Sequence, residues 1–195
     1  RVFEMFMGPL ESVKPWSTKG VEGVSRFLNR AWRMIATEEN ELSKQVQDVQ
    51  LNRKQEFTVH SLIKKVAEDI ENLGFNTAVS QMMIFVNEFT QSEIKPREAM
   101  EKFVLCLAPF APHICEELWR ILGHSTSVCL EPFPQWNPDK LIQSTVEIVL
   151  QVNSKIRSKL IVSAEAHQQS IEQLALLDEH VQKHIGEMTV RKVIS

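Results

Sequence analysis

Pro15-Trp-Ser-Thr-Lys-Gly-Val-Glu-Gly-Val-Ser-Arg-Phe-Leu-Asn-Arg-Ala-Trp-Arg-Met34 is the stretch from which the fold is read. Stepping about 100° per residue from Val24 gathers Val21, Phe27, Leu28, Ala31, Trp32 and Ile35 into one apolar arc. Arg26, Arg30 and Arg33 (i, i+4, i+7) fall together on the opposite side. The pattern predicts an amphipathic helix from near Gly20 to Ala36 or Thr37, capped by Ser17 or Thr18 after a proline that cannot continue a helix. The arginines have two readings: a solvated face, or a guanidinium ridge matching a phosphate backbone. Spacing by itself does not choose between them. Trp16 is read as a packing anchor in preference to a base-stacking platform.

Upstream, Arg1 to Leu10 is rich in apolar residues before the Gly8-Pro9 break, which suits a buried connector. Downstream, Glu38 to Gln55 turns polar, and the expectation is a partly disordered connection or a weak helical excursion. From Phe57 the period returns: Val59, Leu62, Ile63, Val66, Ile70 and Leu73 form a stripe, and Gly74 is the expected stop. His60 and Lys64 lie opposite it, either extending a basic surface or forming a solvated histidine beside a Lys64–Glu68 pair. A third helix starts near Asn76 and carries Met82, Phe85, Val86 and Phe89; a fourth runs from Arg97 to Pro109; a fifth follows Pro112 and stops at Gly123. Five helices with alternating short and long connections predict a mainly α fold, a helical bundle spanning 1–124.

Prolines 132, 134 and 138 with Phe133 and Trp136 make 125–143 an extended linker. The period then changes to two. Val146, Ile148, Leu150 and Val152 form one strand, Asn153-Ser154 a turn, and Ile156, Leu160 and Val162 a second strand alternating with Arg157, Lys159 and Ile161. A single helix through Ile171, Leu174, Leu177, Val181 and Ile185 to Gly186, then a strand over Thr189 to Ile194, complete a small α+β domain at 144–195.

Composition bounds the function. The 195 residues are 43% hydrophobic with a formal charge of -3. That balance gives no bulk attraction to nucleic acid, so RNA binding must come from local patches. Three cysteines (Cys106, Cys115, Cys129), no signal peptide and no long apolar run suit a soluble protein of a reducing compartment, expected to be cytoplasmic with an organelle not excluded. The start at Arg1 reads as internal to something longer. His113 and the cysteines lack zinc-site spacing, so no metal is expected; His113 is read as capping or packing at the helix start. Glu116 and Glu117 project about 100° apart, which excludes a shared acid/base pair and suits first-turn carboxylates.

The runs Met5-Phe-Met-Gly-Pro-Leu10, Lys14-Pro-Trp-Ser17, Gly20-Val-Glu-Gly23 and Arg26-Phe-Leu28 with Arg30, Trp32 and Arg33 resemble the segment after the catalytic domain of bacterial-type leucyl-tRNA synthetases, class I aminoacyl-tRNA synthetases. Ile63-Lys-Lys-Val66, Asp69-Ile70, Asn76-Thr-Ala78, Leu107-Ala-Pro-Phe-Ala-Pro-His113 and Glu116-Glu-Leu-Trp119 resemble their helical anticodon-binding domain. Pro134-Gln-Trp136 is similar to the exit from that domain. Val152-Asn153, Lys155-Ile-Arg157 and Arg191-Lys-Val-Ile194 are similar to parts of the small C-terminal domain. The matches are collinear over nearly the whole chain.

The resemblance implies the tRNA-binding portion of a leucine–tRNA ligase, docking leucine tRNA by backbone and shape contacts. No His-x-Gly-His or Lys-Met-Ser-Lys-Ser signature occurs. Aminoacylation is therefore expected of a catalytic domain outside this chain, with ATP and magnesium used there and no cofactor here. Expected tRNA contacts are Lys19, Arg26, Arg30, Arg33, His60 and Lys64 in the bundle, and Lys155, Arg157, Lys159, Arg191 and Lys192 in the small domain. The bland reading of the latter set is strand-edge cations that discourage aggregation. Catalytic and editing domains of the parent are the other implied partners, with a monomer and no membrane. The family continues with one more strand, and Ser154 stands where its members commonly have glycine. Two alternatives stay open: the equivalent domain of a valine, isoleucine or methionine synthetase, or a helical protein-interaction module.

Overall fold

Helix α2 (Thr18–Ile35) organises the first part of the structure. Ser17 caps it, its hydroxyl accepting from the Gly20 N–H at 3.2 Å. Val24, Phe27, Ala31, Met34 and Ile35 are buried, with Trp32 and Leu28 packed beside them, as the wheel predicts. A short helix α1 (Val2–Phe6) crosses its start. Gly20 permits this approach, because a Cβ there would stand 2.8 Å from the Phe3 ring. Trp16, read as a packing anchor, meets Phe3 edge-on at 5.2 Å and stays 75% exposed.

The computed structural model describes residues 1–142, 145–153, 155–163 and 167–186. They form two units, Arg1–Leu141 and Ile142–Ser195.

In the first unit α3 (Arg53–Glu71), α4 (Phe75–Thr90), α5 (Arg97–Leu107) and α6 (Pro112–Ile121) pack with α2 around one core. Fully buried Phe85 stacks on Phe89 at 4.3 Å and on Phe103 at 4.9 Å, joining α4 to α5. Each such pair contributes about 0.5–1.5 kcal/mol beyond burial. Helix α3 starts a turn earlier than its apolar stripe, on a capping box in which Asn52 accepts from Gln55 N–H and Gln55 accepts from Asn52 N–H. At its end the left-handed residue is Leu73, with φ 58°, and Gly74 follows at φ -80°. Helix α4 starts at Phe75, with Asn76 its second residue.

Between α2 and α3 the polar stretch holds no helix. Ala36 bridges Leu42, Val46 is buried, and β1 (Val46–Gln47) pairs in parallel with β2 (Lys95–Pro96). Lys95, 2% exposed, donates Nζ to Gln45 Oε1 at 2.6 Å and to Ser92 O at 3.0 Å. Burial lowers its pKa from the usual lysine value. Arg97 donates Nε to Asp48 at 2.8 Å and Nη1 to Leu122 O at 2.6 Å. These tertiary partners supply the order that local composition lacks.

At α6, Pro112 occupies the first turn and His113 is exposed without a capping bond. Glu116 and Glu117 sit beyond that turn: Glu116 accepts from Ser127 Oγ and Val128 N–H, and Glu117 pairs with Arg120. Cys106 and Cys115 are buried, which raises their thiol pKa values, while Cys129 is exposed.

The second unit is a hairpin of β3 (Thr145–Val152) and β4 (Lys155–Ser163) with α7 (Gln168–Leu177) and α8 (Glu179–Ile185). Together the units make the predicted mainly α fold, a bundle followed by a small α+β unit. Two details differ. The register steps from Leu150 opposite Ser158 to Gln151 opposite Ile156, leaving Arg157 as the extra residue of a bulge. The bulge turns Ile156 outward, 65% exposed, and leaves Arg157 half-buried. The expected single helix is broken at Asp178, whose carboxylate accepts from the His180 and Val181 N–H groups and from Ser158 Oγ at 2.8 Å. These bonds hold its pKa below the usual aspartate value. Ser154 and the terminal strand expected over Thr189 to Ile194 lie outside the described residues.

Candidate nucleic-acid interface

The exposed face of α2 carries Arg26, Arg30 and Arg33, spaced over about 10 Å of helix. Arg30 Nη1 donates to Asn87 Oδ1 on α4 at 2.7 Å. Arg26 and Arg33 make no hydrogen bond or ion pair with the described residues, and none of the three has a carboxylate partner among them. Elsewhere in the first unit many cations meet carboxylates. Lys54 pairs with Glu88, Lys65 with Asp69, Arg97 with Asp48, Lys102 with Glu98, Arg120 with Glu117 and Lys140 with Glu56. Arg1, Lys14, Lys44 and Lys95 also lack a carboxylate partner among the described residues, but they are scattered, whereas α2 gathers three such guanidinium groups on one exposed face, an arrangement able to attract an anion.

Lys19 is exposed at the start of the same helix. His60 and Lys64 are placed differently. His60 Nδ1 accepts from the Asn137 N–H at 3.2 Å, and Lys64 Nζ lies 5.2 Å from the centre of the Trp136 ring and 3.9 Å from Glu68. Both hold the proline-rich segment against α3, joined by Lys140 to Glu56 at 2.5 Å and Arg53 Nη2 to Asp139 O at 3.2 Å. Burial, and secondarily the Lys102 ammonium, lower the His60 pKa below the ordinary histidine value.

In the second unit Lys155 and Lys159 are exposed. Arg157 is withdrawn into the bulge with its Nε buried and unpaired. Arg191 and Lys192 lie outside the described residues. Asn87 was not reachable from sequence: an asparagine on an outer helix face carries no periodic signal, and only the α2–α4 packing brings it to Arg30. No group of three or more His, Cys, Asp or Glu among the described residues could hold a metal ion, and none of their helices is long and apolar enough to cross a membrane.

A bundle of this kind, with one uncompensated arginine face, points to a nucleic-acid-docking module. Residues 56–175 match the family described as the anticodon-binding domain of tRNA ligase, and the chain belongs to that family. Over its whole length it is 48% identical to a leucine–tRNA ligase of Rhodopirellula baltica, and over 90% of its length 51% identical to one of Leptospira biflexa. It spans about a fifth of these relatives, 21% and 20% respectively. The fold is shared with the crystal structure of the ternary complex of Agrobacterium radiobacter K84 agnB2 LeuRS–tRNA–LeuAMS, at TM-score 0.70 and 22% identity, covering 98% of this chain and 27% of that one.

Proposed function

We propose that this chain is the tRNA-docking portion of a cytoplasmic leucine–tRNA ligase, positioning leucine tRNA for ATP-dependent aminoacylation in a catalytic domain outside it. The observation that carries the reading is the exposed face of Arg26, Arg30 and Arg33, three guanidinium groups on one helix with no ion pair among the described residues. Three guanidinium groups along about 10 Å of helix can meet successive phosphates of an A-form strand. Phosphate contacts orient the tRNA without reading its bases. Lys19 extends this face, and Lys155 and Lys159 supply a second basic surface on the small domain; Arg191 and Lys192 are its further expected tRNA contacts. His60 and Lys64 serve it by fixing the linker, and Arg157 through the bulge.

The division of labour is 1–124 as the anticodon-binding bundle, 125–143 as linker and 144–195 as the small tRNA-binding domain. ATP and magnesium belong to the catalytic domain of a monomeric parent, whose catalytic and editing domains are the remaining partners. The relatives named above favour leucine over valine, isoleucine or methionine.

Titrating the chain with a leucine tRNA transcript and an unrelated tRNA at two salt concentrations tests this. Salt-sensitive binding is expected. Preference for the leucine tRNA would place discrimination in this chain, and equal binding would place it elsewhere in the parent. Absence of binding at low salt would overturn the docking role.

A further inference from the structure

We propose that Asn87 is a positioning and donor residue of the RNA-docking face: its side-chain oxygen holds Arg30 and its amide nitrogen donates to a ribose 2′-hydroxyl. The inference rests on the docking role proposed above. An arginine side chain carries donors only, so the Asn87 atom 2.7 Å from Arg30 Nη1 is the oxygen, and the amide nitrogen turns away from the guanidinium. That nitrogen has no acceptor among the described residues. An amide partner also leaves the arginine charge intact, where a carboxylate would cancel it.

The pair therefore presents a charged donor from α2 and a neutral donor from α4 within about 5 Å of each other, one hydrogen bond plus the width of an amide. RNA offers the matching pair: phosphate oxygens beside 2′-hydroxyls on the wide, shallow minor groove of an A-form helix. DNA offers only the phosphates. The lone arginine ridge would treat the two alike, and Asn87 supplies a donor that separates them.

The test uses the 195-residue chain with an RNA hairpin and the DNA hairpin of the same sequence, across a salt series. Asn87→Ala is expected to weaken RNA binding roughly three- to tenfold, the scale of one neutral hydrogen bond. DNA binding should change less, and the slope of log K against log salt should hold. Arg30→Ala should lower that slope by roughly one on both hairpins. Asn87→Leu, nearly isosteric, repeats the measurement should the alanine variant not fold. Wild-type RNA affinity in the variant, or an equal loss on RNA and DNA, would overturn the donor role while leaving docking in place. A wild-type chain with no salt-sensitive binding would overturn docking itself, and this inference with it.

Discussion

The hydroxyl of Thr77, in the first turn of α4, donates to Asp69 Oδ2, in the last turn of α3, at 2.7 Å. Lys65 Nζ holds the other carboxylate oxygen at 2.7 Å, and the Gly74 N–H donates to Asp69 O at 2.7 Å. This cluster ties the end of α3 to the start of α4. Thr77→Val leaves a largely buried carboxylate oxygen without its donor and should lower stability by about 1–3 kcal/mol. Gly74→Ala should also destabilise, although φ of -80° suits alanine, because its Cβ would stand 3.0 Å from Asp69 Oδ1. Urea unfolding of both variants checks this; a gain in stability for Gly74→Ala would show that the cluster yields.

Charge reversal separates the arginine face from ordinary surface charge. Arg26→Glu and Arg33→Glu touch residues with no intramolecular bond among those described, so the fold should be unchanged. Each should weaken tRNA binding and reduce its salt slope by roughly one or more. Arg30→Glu should weaken it too, while placing an acid beside Asn87. Arg120→Glu, at a cation already paired with Glu117, is the control and should leave binding near wild type. Filter binding over a salt series decides; equal losses at all positions would reduce the face to net charge.

Much of this fold was legible because its helices announce themselves by buried faces and by proline. The arc of α2 and the starts of α5 and α6 at Pro96 and Pro112 follow from those signals. What was not legible lacks an apolar period or depends on partners distant in sequence. The first turn of α3 is polar and shows only as a capping box, and the path after α2 is held by Lys95 and Arg97, about fifty residues away. The Arg157 bulge shifts the hairpin pattern by one residue, which alternation cannot foresee. The arginine ridge was visible as spacing. Its lack of ion pairs, although Glu22 lies one turn before Arg26, shows only in three dimensions.

Acid should loosen the linker from α3. The folded pKa of His60 is lowered, so between that value and 6.5 the unfolded chain binds more protons than the native one. The His60 contribution is therefore present above pH 6.5 and lost as pH falls through the folded value. Protonation also abolishes the acceptor for the Asn137 N–H. The charged groups acting on the ring are Lys102 and Glu98 of α5, Glu56 of α3 and Lys140 of the linker, with the ammonium of Lys102 the largest charge effect. Trp136 fluorescence, followed from pH 7.5 to 5, should report the release. His60→Ala should flatten that transition; an unchanged transition would assign it to other groups.

Lys95 makes the opposite end of the pH range informative. Its ammonium is buried between Gln45 Oε1 and Ser92 O, and burial lowers its folded pKa below the unfolded 10.5. Between the two values the unfolded state holds the extra proton, so stability gains a Lys95 contribution as pH rises toward 10.5. Below the folded pKa both states are charged, and the ammonium is held by its two acceptors. Lys95→Met removes the charge but leaves both acceptors unpaired, which should cost about 1–3 kcal/mol at neutral pH. The loss should be felt first where Lys95 ties down the segment around Gln45, so limited proteolysis should cut between Ala36 and Asn52 sooner than in the wild type. Wild-type resistance in Lys95→Met would mean that Arg97, through Asp48, suffices to hold that segment.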